Sequence, residues 1–323
     1  MDGMSIIQEA DFLPKTLDKV MRLLTVLDEL GRHPTLKGKL CMHGGTAINL
    51  FMLDAPRLSV DIDLSYIGAI EREAMLAERP IIEKAVGQVA TTLGYTIPDK
   101  KGDHAGRTFQ LRYAGNWGAD SIKIDLIYLN RAPILTPVLQ RTLLHPNLQV
   151  LMFSDYELVA GKVKALFDRV KIRDIYDIVN LYKYLENHLV ERPEDDNICH
   201  KTILFYASLS NHFPLPFEHR ALERFSGREK EMKDQLYPVL RMLDRPSLDT
   251  MINTVEDFIS HFVLPRDDTE RDYLERFAQA EYCPELLFGE DSSMKTAARN
   301  NPEALWKLQN LEKWKKESSS KKD

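Results

Sequence analysis

A pair of glycines between two apolar stretches most restricts how this chain can fold. Apolar residues at 40–42 precede Gly44 and Gly45, and a largely apolar run at 47–51 follows them. The pattern predicts a strand that turns directly into a helix, with Thr46 as a candidate cap. Backbone N–H groups at such a turn point towards an anion.

Two aspartates follow on a second predicted strand. Residues 59–64 read Ser-Val-Asp-Ile-Asp-Leu, so strand alternation sends Asp61 and Asp63 to one face and the apolar residues to the other. Two acids that face one way beside a buried apolar row are costly unless a cation joins them. The spacing therefore predicts a bound cation.

A third acid lies on a later alternating strand. Asp125 would stand beside Asp61 and Asp63 if the two strands were sheet neighbours. Carboxylates suit Mg²⁺, a hard ion that completes its shell with phosphate oxygens and water. Such an ion beside a phosphate-binding turn suits nucleotidyl transfer from a nucleoside triphosphate. Asp125 is also the natural general base for transfer to a ribose hydroxyl.

Each of these elements has an ordinary explanation when it stands alone. Paired glycines are commonly turns, and an Asp-x-Asp repeat is commonly a solvated strand face. A strand-end aspartate such as Asp125 often only terminates a sheet. The functional interpretation depends on the combination of the elements, in this order and at this distance.

The combination extends to a longer motif that ends at Leu64. It reads Gly-Gly-Thr and then Arg-x-Ser-x-Asp-x-Asp-Leu. The motif resembles the DNA polymerase β-like nucleotidyltransferase core, and specifically the AbiEii/AbiGii toxin family, which includes the MenT toxins. The resemblance implies metal ligation by Asp61, Asp63 and Asp125. It implies nucleotide binding by Gly44, Gly45, Thr46, Arg57, Ser59 and Lys162.

The resemblance continues through residues 155–184, which are expected to form two helices. They carry a lysine motif and then Arg-Asp-x-Tyr-Asp at residues 173–177. Lys162 lies on or beside an otherwise apolar face of the first helix, and Asp177 lies on a flank of the second. The resemblance implies that both are catalytic together with the three strand acids: Lys162 holds the triphosphate, and Asp177 orients Lys162 or the acceptor.

A structural explanation of the same helices stays open. Lys164 is expected to point to solvent, and Asp174 is expected to pair with Arg169 or Arg173. In this alternative the whole cluster is a lattice of salt bridges between two helices.

The family resemblance implies a toxin of a bacterial toxin–antitoxin or abortive-infection system, inhibited by a cognate antitoxin. The toxin would be an Mg²⁺-dependent enzyme that moves a nucleotide from an NTP to an RNA, with the tRNA 3′ end as the expected acceptor, and so blocks translation. One alternative is a small-molecule nucleotidyltransferase of the antibiotic-modifying kind, with an acidic pocket from Glu157, Asp168 or Asp174. Another is an NTP-binding protein that acts through its partner without turnover, although intact acids argue against it.

The amino-acid composition excludes few classes of function. The formal net charge of −6 gives no general sign of nucleic-acid binding, although basic residues gather at 162–173. The three cysteines are widely spaced and odd in number, which is typical of reduced thiols. The first five residues show no leader pattern, and no apolar run is long enough to span a membrane. We therefore expect a cytoplasmic protein with no membrane partner.

Periodicity predicts an α+β chain. Helices are expected near 13–31 and 71–93, strands across 94–130 and near 149–153, and almost only helices beyond residue 154. We expect a polymerase β-like nucleotidyltransferase domain, with a mixed sheet and helices, at residues 1–153. A helical domain that carries the lysine and Arg-Asp-x-Tyr-Asp motifs is expected at residues 154–323.

Overall fold

Six strands form one mixed β-sheet. The computed structural model describes residues 11–98, 102–103, 105–290 and 292–319. The expectation that the chain has no leader concerns its first five residues, which lie outside the described residues. The strands are Leu40–His43 (β1), Asp61–Tyr66 (β2), Gly106–Gly115 (β3), Gly118–Ile127 (β4), Val138–Thr142 (β5) and His145–Met152 (β6). Their order across the sheet is β3-β4-β2-β1-β6-β5.

The sheet combines parallel and antiparallel pairs. β2 runs parallel to β4, and β1 runs parallel to β6, whereas the pairs β1–β2, β3–β4 and β5–β6 are antiparallel. The strands predicted in 94–130 and near 149–153 are confirmed as β3, β4 and β6. Strand β5 was not predicted, because this short edge strand has little apolar alternation and its Leu139 is exposed.

One helix precedes β1, a short one follows it directly, and a third lies between β2 and β3. They are α1 (Pro14–Arg32), the short α2 (Gly44–Ala47), which continues as a π-helical turn at Ile48–Met52, and α3 (Arg72–Thr92). The two long helices confirm the predictions near 13–31 and 71–93. The buried face of α1 includes Leu23 and Val26, which are fully buried, whereas Met21 is 41% exposed.

The two faces of the sheet differ in polarity around β2 and β4. Ile62, Leu64, Ile124 and Leu126 are buried on one face. Asp61, Asp63 and Asp125 lie on the other face and are only half-buried. Burial of the apolar row fixes the register of these strands, because a slip of one residue would exchange the two faces.

Beyond residue 154 the chain is helical, as predicted. The helices are α4 (Asp155–Asp168), α5 (Ile172–Glu191), α6 (Asp196–Ser208), α7 (Glu229–Glu231), α8 (Leu248–Phe262), α9 (Asp268–Ala278), α10 (Glu285–Phe288), α11 (Ser293–Arg299) and α12 (Pro302–Ser319). In α5 the buried apolar stripe includes Ile175, Ile178, Leu181 and Leu185. In the part of the chain that the structure describes, none of the helices has the length and apolar content needed to cross a membrane.

The chain divides into two compact units that are both discontinuous in sequence. The first unit holds residues 1–131, 136–158 and 229–246, and the second holds the remaining residues. The boundary between the two units divides α4 after Leu158, close to the domain boundary expected between residues 153 and 154. The segment 229–246 differs from that expectation, since it belongs with the sheet rather than with the helices that surround it in sequence.

Candidate active site

The glycine turn requires glycine at its first position for two independent reasons. Gly44 has a φ of +73°, a region that residues with a Cβ adopt only with strain. A Cβ at Gly44 would also lie 2.8 Å from Asp63 Cγ and closer still to Asp63 Oδ2. The main chain of the turn therefore lies directly against the Asp63 carboxylate.

The second glycine leaves room for two polar side chains. A Cβ at Gly45 would lie 2.9 Å from Arg57 Nη2 and 3.2 Å from Ser59 Oγ. Arg57 and Ser59 are both buried, and Arg57 Nη1 donates to the carbonyl oxygen of Leu58 at 3.0 Å. The structure thus places the predicted nucleotide-binding residues Arg57 and Ser59 against the glycine turn.

Thr46 has a different position from the predicted cap. The helix begins at Gly44, and its N-cap residue is His43, which makes no side-chain capping bond. Thr46 lies inside the helix, and its hydroxyl donates to the main-chain carbonyl oxygen of Asp61. The capping prediction is wrong because the N-cap is His43, three residues before Thr46, and the Thr46 hydroxyl instead joins the turn to β2.

The three acids come together on β2 and β4. Asp63 and Asp125 are register partners on these neighbouring parallel strands, and Asp61 is the partner of Lys123. Neighbouring strands lie about 4.8 Å apart, and alternate residues share a face. The structure therefore places Asp61, Asp63 and Asp125 on one face, as the sequence required for a common site.

The electrostatic environment of Asp63 is unfavourable for a charged carboxylate. Burial raises the pKa of Asp63, the charges of Asp125 and Asp61 raise it further, and His43 and Lys123 oppose these effects. The His43 ring also stacks on Phe153, with ring centroids 5.5 Å apart. A raised pKa that results from burial and like charges marks a place where added positive charge would be stabilising.

Two residues that the sequence analysis did not select contact Asp125. Lys123 Nζ lies 2.7 Å from Asp125 Oδ2, and Thr108 Oγ1 donates to Asp125 Oδ1 at 2.7 Å. Burial lowers the pKa of Lys123, but the hydrogen bond to Asp125 and the charges of all three acids outweigh it, so the pKa is raised. Alternation along β4 would have indicated Lys123, whereas Thr108 depends on the pairing of β3 with β4.

The three carboxylates are ligands of the type that magnesium sites use, although their side chains do not converge on one point as in a preformed metal site. Asp61, Asp63 and Asp125 are carboxylates from adjacent strands, and burial first and then the charges of Asp125 and Asp61 raise the pKa of Asp63. Within residues 11–98, 102–103, 105–290 and 292–319, no group of three His, Cys, Asp or Glu side chains is arranged to hold a metal ion. The residues fit Mg²⁺ by donor type and by shared face.

The predicted lysine lies in the second unit, in a buried cluster of ion pairs. Lys162 Nζ on α4 lies 2.9 Å from Asp174 Oδ1 and 2.8 Å from Asp177 Oδ2, both on α5. All three side chains are at most 3% exposed. The cluster therefore joins two helices, which is the structural contribution that the alternative explanation proposed.

Asp174 has a second cationic partner, as expected. Arg169 Nε lies 2.9 Å from Asp174 Oδ2, which confirms the predicted Arg169–Asp174 pair. Burial raises the pKa of Asp174, but the charge of Lys162 and the hydrogen bond and charge of Arg169 outweigh burial, so the pKa is lowered. Asp174 is consequently a charged carboxylate inside the protein.

The prediction that Lys164 points to solvent is wrong. Its ammonium lies 2.6 Å from Asp168 and 3.1 Å from Glu303, and the side chain is only 18% exposed. Asp168 also accepts hydrogen bonds from the Ser210 hydroxyl and the Asn211 main chain. The sequence could not indicate this, because Glu303 and Ser210 are remote in the chain.

Comparison with known proteins gives one family match and similar folds. The profile of a family described as nucleotidyl transferase AbiEii toxin, type IV TA system, matches residues 26–275. MenT4, a nucleotidyltransferase toxin from Mycobacterium tuberculosis H37Rv, is 15% identical and aligns over 92% of this chain and 93% of its own, with a TM-score of 0.52. JHP933 from Helicobacter pylori is 15% identical and aligns over 97% and 100%, with a TM-score of 0.41. A search of curated proteins returned no match.

The family match and the shared α+β fold define the class of protein, which is a nucleotidyltransferase enzyme. Because the match covers most of the chain, the protein belongs to the AbiEii family of nucleotidyl transferase toxins from type IV toxin–antitoxin systems. The expected family is therefore confirmed. Membership implies an NTP substrate and an antitoxin partner.

Proposed function

We propose that the protein transfers a nucleotide from an Mg²⁺-bound NTP to an RNA acceptor, and that the acceptor is the 3′ end of tRNA. The observation that carries this proposal is the meeting of three carboxylates with the Gly44-Gly45 turn. Acids on adjacent strands beside a turn of exposed main-chain N–H groups suit a triphosphate and its metal.

Asp61, Asp63 and Asp125 are the residues that would hold the metal. When bound, Mg²⁺ would offset the charge of the triphosphate and of the leaving pyrophosphate. The ligand type and the shared face of the three acids support this assignment. A bound cation would also reduce the electrostatic cost of a charged Asp63 carboxylate.

The glycine turn and its neighbours form the proposed phosphate site. Main-chain N–H groups at Gly44 and Gly45 donate to phosphate oxygens, and the guanidinium of Arg57 adds a charged donor beside them. Ser59 supplies a hydroxyl at the same turn. The absence of a Cβ at both glycines lets Asp63, Arg57 and Ser59 approach the main chain of the turn closely.

Asp125 is the proposed general base for the acceptor hydroxyl. Its two oxygens face Lys123 and Thr108, so the orientation of the carboxylate is set from both sides. Removal of the hydroxyl proton by Asp125 would make the acceptor oxygen nucleophilic towards the α-phosphate of the NTP.

Lys162 and Asp177 keep the roles that the family resemblance implies for them. We assign Lys162 as a point charge for the triphosphate and Asp177 as the residue that orients it, which their contact at 2.8 Å supports. Such a lysine has a fixed position, because two carboxylates hold its ammonium.

The RNA acceptor gives the proposal its biological consequence. A nucleotide added to the tRNA 3′ end prevents aminoacylation, which blocks translation in the cytoplasm until the antitoxin intervenes. The small-molecule alternative needs an acidic pocket from Glu157, Asp168 and Asp174, but Asp168 and Asp174 are engaged in ion pairs with cationic side chains and Glu157 is buried. The RNA acceptor is therefore the better supported of the two.

The test incubates purified protein and Mg²⁺ with each of the four labelled NTPs and total tRNA, and resolves the RNA on a denaturing gel. Asp61→Asn should abolish labelling because it removes a metal ligand. Asp120→Asn is the matched control, since Asp120 also lies on this sheet but pairs with Lys19 at 3.1 Å on the other face. Chelation of the metal should abolish labelling by the wild-type protein.

The outcomes separate the alternatives. Label on tRNA that depends on Asp61 and on Mg²⁺ supports the proposal and identifies the preferred base. NTP consumption without label on any RNA would favour a small-molecule acceptor. Saturable NTP binding with no consumption would favour a protein that acts without turnover.

A further inference from the structure

An irregular loop carries two residues of the proposed nucleotide site. Residues 53–60 connect the π-helical turn to β2 without forming a helix or strand of their own. Within the loop, Ala55 has a φ of +45°, which strains a residue that carries a Cβ. A loop of this kind holds Arg57 and Ser59 beside Gly45 only when other parts of the fold constrain it.

A segment remote in sequence supplies main-chain constraints. Residues 237–242, which we name the strap, belong to the same compact unit as the loop. The N–H of Leu58 donates to the carbonyl oxygen of Val239 at 2.8 Å. Arg57 and Leu240 also form an isolated antiparallel bridge. The strap thus pairs with the loop at the residue whose guanidinium lies over Gly45.

One side chain of the strap extends the contact to the start of the loop. Arg241 Nη2 donates to the carbonyl oxygen of Asp54 at 3.0 Å. The loop is therefore held on both sides of Arg57, at Asp54 by Arg241 and at Leu58 by Val239. Asp54 and Ala55 are adjacent, so the side-chain bond acts next to the strained residue.

The strap is itself anchored to the region where α1 begins. The N–H of Met242 donates to the carbonyl oxygen of Asp11 at 2.8 Å, and Arg241 Nη1 lies 3.7 Å from the Asp11 carboxylate. The side chain of Leu240 is 1% exposed. Anchoring and burial make the strap a fixed support for the loop.

We propose that the strap is a positioning element of the nucleotide site, and that Arg241 is a positioning residue for Arg57 and Ser59. The inference rests on the proposed function, since it gives the strap a role in NTP binding. Arg241 acts through the loop main chain and touches no reacting group. Loss of its bond to Asp54 should loosen the loop and weaken the hold on the triphosphate.

The test compares three variants of the full-length protein. Arg241→Ala removes the bond to Asp54 and the contact with the Asp11 carboxylate, and Arg241→Lys retains a positively charged donor at the same position. Arg32→Ala is the matched control, because Arg32 is an exposed arginine of the same compact unit whose guanidinium pairs with Asp28 on α1 at 2.8 Å. Each variant is measured by KM and kcat for the NTP and by amide hydrogen exchange of residues 53–60.

Arg241→Ala should raise KM for the NTP about tenfold with a smaller change in kcat, since a misplacement of about 1 Å can cost up to 10²-fold. Exchange in residues 53–60 should become faster in this variant. Arg241→Lys should recover part of both effects, and Arg32→Ala should match the wild type. This pattern would support the inference, because general destabilisation would also speed exchange outside residues 53–60.

Other outcomes would overturn it. Wild-type KM and wild-type exchange in Arg241→Ala would show that the strap does not hold the loop. A lower kcat with unchanged KM would remove the strap from the nucleotide site. If the wild-type protein transfers no nucleotide at all, the proposed function fails, and the exchange measurement alone then decides whether Arg241 constrains the loop.

Discussion

Single residues at the glycine turn combine a backbone requirement with a steric one. Gly44 needs a positive φ, and its missing Cβ leaves the space that the Asp63 carboxylate occupies. Gly38 has nearly the same φ, +74°, but a Cβ there would meet nothing within 4 Å. Comparing substitutions at the two glycines therefore separates the free-energy cost of the backbone conformation from the effect of displacing Asp63.

Gly44→Ala and Gly38→Ala should each lose about 1–2 kcal/mol of the free energy of unfolding from backbone strain, and Gly44→Ala should lose more because its Cβ also displaces Asp63. Only Gly44→Ala should also lose nucleotidyl transfer, because its Cβ displaces Asp63 from its place beside Asp125. Denaturant unfolding and the tRNA labelling assay measure the two effects. Equal activity in both variants would contradict the steric role of Gly44.

At the scale of elements, the α4–α5 pair is held by charges as well as by apolar packing. Lys162 and its two aspartates are buried, so removal of one partner leaves a charge inside the protein. The Lys123–Asp125 pair has similar chemistry on the sheet, but the Lys123 side chain is 43% exposed. The two pairs therefore differ chiefly in burial.

Lys162→Met should lower the free energy of unfolding by about 3–5 kcal/mol, because Asp174 and Asp177 lose their common partner. Lys123→Met should change it by less than about 1 kcal/mol, since the exposed pair is screened by solvent. Denaturant unfolding measures both. A double variant with Asp177→Asn should recover part of the loss. Loss of activity in Lys162→Met is evidence for a catalytic role of Lys162 only if the unfolding curve shows that the variant is folded.

The same pair of helices predicts an acid dependence of stability. The pKa of Asp174 is lowered in the folded state, so its stabilising effect is complete above its unfolded pKa of about 3.9. The effect declines as the pH falls through the lower pKa of the folded state. Below about pH 4, Asp174→Asn should therefore show a shallower loss of stability than the wild type. Unfolding free energies measured from pH 5 to pH 2 test this, and parallel curves would contradict it.

At the scale of the whole molecule, the sheet-bearing unit is not a continuous stretch of sequence. Residues 229–246 belong to it, and they contribute the buried side chains of Met232, Leu236 and Leu240. Buried side chains of this size each contribute roughly 1.5–3 kcal/mol. Their sum is a large part of the stability of an ordinary domain, which is about 5–15 kcal/mol.

A fragment of residues 1–158 should consequently be unstable by itself. Addition of residues 229–246 through a flexible linker should restore a cooperative unfolding transition, because these residues supply the missing apolar contacts and the strap. Circular dichroism during denaturant unfolding compares the two proteins. A stable, cooperative 1–158 fragment would contradict the assignment of 229–246 to this unit.

The sequence by itself determined the features that depend on local spacing. Alternation placed Asp61 and Asp63 on one face, and the 3.6-residue period identified α1, α3 and the two helices with Lys162 and Asp177. The glycine pair between two apolar stretches likewise indicated the strand-to-helix turn. These patterns are readable because the physical cause, burial of one face of an element, acts within a few residues.

Only the tertiary structure decided which remote residues meet. The β2–β4 pairing brings Asp125 to Asp63, and β3 adds Thr108. The partners of Lys164 and the return of residues 237–242 to the loop at Arg57 were likewise invisible in the sequence. Such contacts arise when whole elements bury their apolar faces against each other, and a single sequence records each face but not its partner.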